Sequence, residues 1–307
     1  MSKSTEITDD AILRLLATAN AVPKPIGQMV RSGEGGEHMV WIIDDAFVLR
    51  LRADGLDGGL LIQEKALWGV LKSVEPGFTA MPTCLGVGTW DDGRRPYGLY
   101  RKLAGVSIED SPQSVNAATE DDLVELLKLL KKTPIEKVRA IGVVDAEPVD
   151  LLERRRLALE AWRVRLRDNG HLGRLTDVDI AQALHISDTA VNGPYTPVLL
   201  HADLKGEHIF VDPATGRLTG VIDWSDACIG HPSVDVRGLT ISVGAAASAR
   251  IAARAGYGGD VVARGTWTAC CEAVLCLDAI VRGEDDSPEW LIRRQLRRAL
   301  EKVEGEE

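Results

Sequence analysis

Apolar residues recur along this chain in two rhythms, and the change from one to the other divides it. After Thr8, the run DDAILRLLATAN sets its leucines at helical spacing behind two acidic residues, so a helix capped by Thr8 is predicted there. From Gly27 to about Tyr100 short β-like runs take over: MVWII (39–43), FVLRLR (47–52) and YGLYRKL (97–103), with Asp44-Asp45 as a tight turn between the first two. A helical segment, GGLLIQEKALWGVLKSV (58–74), interrupts them. After Gly105 the rhythm is mostly helical. ATEDDLVELLKLLKKT (118–133) begins acidic, ends in lysines and repeats leucine every three or four positions. Residues 150–168 and 176–189 continue this texture. Only 197–223 breaks it, with PVLLH, then HIFVD, a PATG turn, and LTGVID. Helices then resume to SPEWLIRRQLRRALEKVEGEE, where Ser287 is expected to cap and Pro288 to occupy the first turn. The pattern predicts an α+β chain: a small β-rich N-terminal lobe over 1–103, a crossing segment at about 99–105, and a larger, mainly helical C-terminal lobe over 104–307 that carries a small sheet.

Length and charge narrow the possibilities. The 307 residues suffice for two lobes with separate cores. A net charge of −10 argues against chain-wide affinity for nucleic acid or an anionic membrane. No long uncharged apolar run occurs, and MSKSTEITDD lacks the basic-then-apolar layout of an export signal, so a cytoplasmic protein is expected. Cys84, Cys228, Cys270, Cys271 and Cys276 are odd in number and form no CxxC pair; reduced core thiols are the expectation.

The candidate chemistry lies in LLHADLKGEHIFVDPATGRLTGVIDWSDA. Phosphoryl transfer from a nucleotide needs a carboxylate for the attacking hydroxyl, ligands for Mg²⁺, a cation on the donor phosphates and a glycine-rich cover. Asp203 follows an apolar strand on a loop and is the candidate base. His208 begins the next strand and Asp223 ends the strand after it, which makes both candidate metal ligands. His201 follows three apolar residues and is expected to brace the loop, while Ile209 and Trp224 read as core. A metal-dependent hydrolase built on His201, Asp203, His208, Asp223 and His231 is the rival from another class, and a catalytically silent kinase-like binding module is a third possibility. His38, His171 and His185 read as solvated or structural.

HADLKGEH followed by GVIDW resembles the catalytic and metal-binding loops of the aminoglycoside and macrolide phosphotransferase family, in motif nearest its aminoglycoside 2″-phosphotransferase and macrolide kinase branches. That resemblance implies a protein-kinase-like two-lobe fold and a Mg²⁺-dependent kinase that uses ATP or GTP. Its acceptor would be a hydroxyl of a small molecule such as an aminoglycoside, cationic in that case, or alternatively a macrolide or another metabolite. A monomer or weak dimer is expected. His208 stands where the family usually has Asn, as it does in those two branches. SGEGGEHMVWIIDDAFVLRLR is similar to the first hairpin of the 2″ branch, which implies that Gly33, Gly35 and Gly36 cover phosphates. Arg50 occupies the place of the phosphate-binding lysine, Glu64 that of its carboxylate partner, and Tyr100 to Lys102 the hinge whose backbone meets the purine. GHPSVDVRG matches a further family segment with His231 in place of its first Asp; there Asp235 would hold the catalytic loop by accepting its N–H bonds. The resemblance runs through the chain in order and is densest over 33–50 and 198–239. For the acceptor, Asp226, Glu272, Asp278, Glu284, Asp285 and Asp286 together with Trp267 and Trp290 are expected to offer carboxylates and indole faces to an amino sugar, while the apolar run 268–281 would suit a macrolide.

Overall fold

The computed structural model describes residues 7–19, 22–23, 25–35, 38–52, 59–90, 95–111, 115–167 and 177–301. By contacts the chain divides into two compact units, residues 1–69 with 80–104, and residues 70–79 with 105–307.

In the first unit α1 (Asp9–Ala19) is followed by β1 (Met29–Gly35), β2 (His38–Ile43) and β3 (Phe47–Arg52), then α2 (Gly59–Val74), β4 (Cys84–Trp90) and β5 (Arg95–Arg101). The strands form one sheet in the order β1-β2-β3-β5-β4, antiparallel throughout. Thr8 accepts at the head of α1 through its hydroxyl, 3.4 Å from the Ala11 N–H. Asp44 and Asp45 turn β2 into β3 with φ of 49° and 51°, a conformation aspartate tolerates better than most side chains. Alternation along β2 and β3 sends Trp41, Ile43, Leu49 and Leu51 inward, against Ile12, Leu15 and Leu16 of α1. β1 and β4 lie outside the runs the apolar rhythm predicts.

The second unit holds β6 (Val106–Ser107), α3 (Ala117–Lys132), α4 (Ile135–Arg139), α5 (Leu151–Ala161) with a π-helical turn over Trp162–Leu166, α6 (Asp177–Ala183) and α7 (Asp188–Asn192). Then come β7 (Val198–Leu200), β8 (Ile209–Val211), β9 (Leu218–Val221), β10 (Cys228–Gly230), α8 (Ser233–Val243), α9 (Ala245–Arg254), α10 (Gly259–Arg282) and α11 (Glu289–Ala299). The expected single small sheet is in fact two: β7 pairs with β10, while β6, β8 and β9 form the other. β7 and β8 flank the HADLKGEH loop without pairing with each other. The core joins Trp162 and Leu166 to the buried face of α10, including Trp267, Cys270, Cys271 and Val274, and to Ile292 and Leu296 of α11. Burial pushes the Cys270 thiol up to about 12, in keeping with a cysteine that serves as a small hydrophobe.

At the C-terminal helix the capping expectation is corrected. Pro288 itself is the cap residue and no side chain caps the helix; the Ser287 hydroxyl is bonded to Asp285 instead.

Candidate active site

The geometry of the 201–223 segment begins with a buried carboxylate. Asp235, in the first turn of α8, accepts the His201 N–H at 3.0 Å and the Ala202 N–H at 2.9 Å. Burial pushes its carboxyl up to about 6 against the opposing pull of those two amides, so at neutral pH it is ionised and serves both. Glycines let the surroundings close on this loop. A Cβ on Gly238 of α8 would lie 2.5 Å from the Leu204 carbonyl oxygen, and one on Gly206 would lie 2.6 Å from Oε2 of buried Glu109. Glu109 is itself fixed by Arg294 and Arg298 of α11.

His201 is fully buried. Its Nε2 donates to the Ile222 carbonyl at 2.9 Å, its Nδ1 accepts the Asp203 N–H at 3.3 Å, and its ring lies 4.6 Å from that of Trp224. Those partners assign the neutral Nε2–H tautomer. Burial, with the neighbouring His208 adding to it, holds the imidazole down to about 4 against 6.5 for a free one. The sign follows from linkage: between 6.5 and 4 the unfolded chain binds the extra proton, so this residue's contribution is complete above 6.5 and is lost as the pH falls toward 4, by roughly 3 kcal/mol. Nitrogen-detected NMR should therefore show the His201 ring neutral and Nε2-protonated down to about pH 4. Through the same window the stability deficit of a His201→Gln variant should narrow on acidification; a ring that titrates near 6.5 would contradict the assignment.

Asp203 leaves the loop with its carboxylate partly exposed, Oδ2 lying 3.2 Å from Lys205 Nζ and 3.3 Å from His208 Nδ1. His208 Nδ1 also donates to the Asp203 carbonyl at 2.9 Å, an arrangement that in the neutral ring puts the lone pair on Nε2. That Nε2 stands 3.6 Å from Asp223 Oδ2. Asp223 follows β9 with φ of 64°, and its Oδ1 accepts from the Ser225 hydroxyl at 3.1 Å. Imidazole nitrogen and carboxylate oxygen are thus separated by about the span of two donors on one small cation, roughly 3 Å or slightly more at Mg²⁺ bond lengths. The two side chains would supply one nitrogen and one oxygen donor to such a cation. Among the described residues no group of three or more His, Cys, Asp or Glu side chains is gathered to hold a metal. The five-residue centre of the hydrolase reading is accordingly not assembled. His231 instead packs at a tilt against Tyr195, with ring centroids 4.3 Å apart, and accepts the Ser233 N–H at 3.1 Å.

In the first unit Arg50 on β3 points its guanidinium at Glu64 of α2, Nη1 to Oε1 3.5 Å, and the Glu64 side chain is 1% exposed. Gly33 and Gly35 lie on β1, where the pairing with β2 slips register between Ser32 and Gly35; Gly36 falls outside the described residues. Tyr100 is buried edge-on against Trp68 at 5.8 Å, and the Lys102 N–H donates to the Ala46 carbonyl at 2.8 Å while its ammonium pairs with Asp45. The Lys102 N–H is thus engaged within the first unit.

Several of the residues expected at the acceptor site have partners within the protein. Trp267 is 3% exposed in the helical core, its indole N–H donating to Leu184 O at 3.0 Å. Asp278 is gripped by Arg165, which lowers its pKa, and by Arg282 at 3.1 Å. Glu272 is shared by Arg237 at 2.7 Å and Arg154 at 3.2 Å, and Glu284 pairs with Arg282. Asp285 accepts the Ser287 N–H at 2.7 Å. Both carboxylates of α10 that the acceptor expectation named, Glu272 and Asp278, are thus paired with arginines. Asp226 is exposed, and Trp290 is too, with Arg294 over its ring at 4.8 Å.

Residues 30–272 match the model of the phosphotransferase enzyme family. The chain belongs to that family. The likeness extends to solved structures. An aminoglycoside 2'-phosphotransferase-IIIa in complex with GDP superposes with a TM-score of 0.67 at 21% identity, over 95% of this chain and 99% of the other. A macrolide 2'-phosphotransferase from Brachybacterium faecium gives 0.57 at 19% identity, over 97% and 100%. These likenesses establish the kinase-like fold of the phosphotransferase enzyme family. A curated relative, the hygromycin-B 4-O-kinase of Escherichia coli, is 23% identical over 168 residues, 52% of this chain and 47% of that enzyme. The match thus spans about half the length of that relative. No helix among the described residues is long and apolar enough to cross a membrane.

Proposed function

We propose that this phosphotransferase moves the γ-phosphate of ATP or GTP, with Mg²⁺, to a hydroxyl of a small molecule, an aminoglycoside or a related antibiotic. The observation that carries the proposal is the row Asp203, His208, Asp223, with the two carboxylates on either side of the imidazole. Asp203 orients the attacking hydroxyl and accepts its proton. Asp223 and His208 Nε2 hold the cation, which when bound neutralises the charge developing on the phosphate oxygens. Arg50, aligned by Glu64, places a guanidinium on the donor phosphates, and the Gly33–Gly35 backbone covers them. His201 and Asp235 hold the loop on which Asp203 is mounted. A silent binding module would require neither Asp203 nor Asp223.

GDP in the solved aminoglycoside relative supports a purine nucleotide donor, and the macrolide relative supports a macrolide as the alternative acceptor. Aminoglycosides, macrolides, peptide antibiotics and simple amino alcohols should be screened with Mg–ATP and Mg–GTP, scoring release of ADP or GDP. Turnover with at least one antibiotic class is expected. No turnover with any acceptor, in a protein that binds Mg–nucleotide, would overturn the antibiotic assignment.

A further inference from the structure

Ala202 carries φ of 68°, a left-handed conformation that is strained for a non-glycine residue, and unlike aspartate or asparagine it has no side chain to offset that strain. The peptides on either side of it need external anchors. Asp235 takes the N–H groups of His201 and Ala202 and so fixes the two peptides that precede the Ala202 α-carbon. It does not reach the next peptide, the one that leads directly into Asp203. There the N–H is held by His201 Nδ1 at 3.3 Å, and the carbonyl oxygen of Ala202 accepts from Arg237 Nη2 at 2.9 Å. Arg237 lies two residues beyond Asp235 on α8, and its other terminal nitrogen, Nη1, donates to Glu272 Oε2 at 2.7 Å. Glu272 belongs to α10 and is steadied in turn by Arg154 of α5.

We infer that Arg237, held by Glu272, is a positioning residue for Asp203: it fixes the rotation of the 202–203 peptide and hence the direction in which the Asp203 side chain leaves the backbone. The chemistry requires this residue type. A planar guanidinium offers two parallel terminal N–H groups, one for a carbonyl and one for a carboxylate, whereas an ammonium cannot keep that fixed fork. The inference rests on Asp203 acting as the base only for its kinetic consequence; the anchoring itself is independent of any activity.

The experiment compares the parent with Arg237→Met, Arg237→Lys and Glu272→Gln. Hydrogen exchange is followed on the peptide covering 198–208, alongside thermal unfolding and steady-state kinetics with whichever acceptor the parent turns over. Arg237→Met should speed exchange in that peptide while exchange in α10 and α11 stays at the parental rate. It should also lower kcat by about ten- to a hundredfold, the scale of a slight misplacement of a reacting group, with nucleotide KM changed less than about threefold. Arg237→Lys should recover part of both effects, and Glu272→Gln should fall between Lys and the parent. Unchanged exchange at 198–208 in Arg237→Met overturns the inference whether or not the parent is active. A parallel loss of stability and exchange protection throughout the second unit, with kcat and KM moving together, also overturns it by reducing Arg237 to general packing. If the parent turns over no acceptor, the functional proposal fails, and the exchange result still decides the role of Arg237.

Discussion

Replacing Asp203 with Asn should lower kcat by about 10²- to 10⁴-fold while leaving Mg–nucleotide affinity within a few-fold of the parent. Asn preserves the shape of the side chain and its place on the loop but cannot take up the hydroxyl proton. The loop itself should remain in place, because its anchors are backbone groups: Asp235 on the amides of His201 and Ala202, and His208 Nδ1 on the Asp203 carbonyl. The carboxylate does contribute contacts to Lys205 and His208, at 3.2 and 3.3 Å. Both partners are partly exposed, so loss of those contacts should cost little stability. Single-turnover kinetics with saturating nucleotide separates the chemical step from binding. An Asp203→Asn protein with parental kcat would remove Asp203 from the mechanism.

Asp223→Ala should eliminate Mg²⁺-supported nucleotide use, with turnover reduced by at least about 10²-fold and nucleotide binding no longer strengthened by the metal. The expected loss exceeds that of a surface carboxylate because Asp223, with His208 Nε2 3.6 Å from its Oδ2, would supply the protein's oxygen donor to the cation. Titrating nucleotide affinity against Mg²⁺ concentration for both proteins checks this. A variant that retains the parental Mg²⁺ dependence would place the cation elsewhere.

What could be read in the sequence was whatever depends on local rhythm or on a short motif. β2 and β3 are legible because buried and partly buried residues alternate over 40–43 and 47–51, and α3 because its buried leucines keep helical intervals behind Asn116, which caps it. β1, with the sequence MVRSGEG, and glycine-rich β4, with CLGVGTW, lack that alternation. β6 and β10 are too short, at two and three residues, to show any period. The row of Asp203, His208 and Asp223 could be located because loop and strand ends are marked in the sequence. The surroundings of Trp267 and Asp278 were not legible for a different reason: sequence displays charge and aromaticity but not partners. Arg165 lies 113 positions before the carboxylate it neutralises. The anchoring role of Arg237 was likewise out of reach, since it depends on a carbonyl 35 residues earlier; an arginine on the buried helix that also carries Asp235 was the available hint.

The strands that carry the candidate base and the candidate metal ligand belong to different sheets: Asp203 follows β7, which pairs with β10, and Asp223 follows β9, which pairs with β8. No ladder register therefore dictates the distance between the two carboxylates. That distance is an adjustable dimension, set by how two small sheets nest and gauged by the single imidazole of His208 between them. Volume changes at buried Trp224, whose ring lies 4.6 Å from that of His201, should retune catalytic efficiency in graded steps without touching any reacting group, which gives selection a dial where a continuous sheet would have offered only a switch.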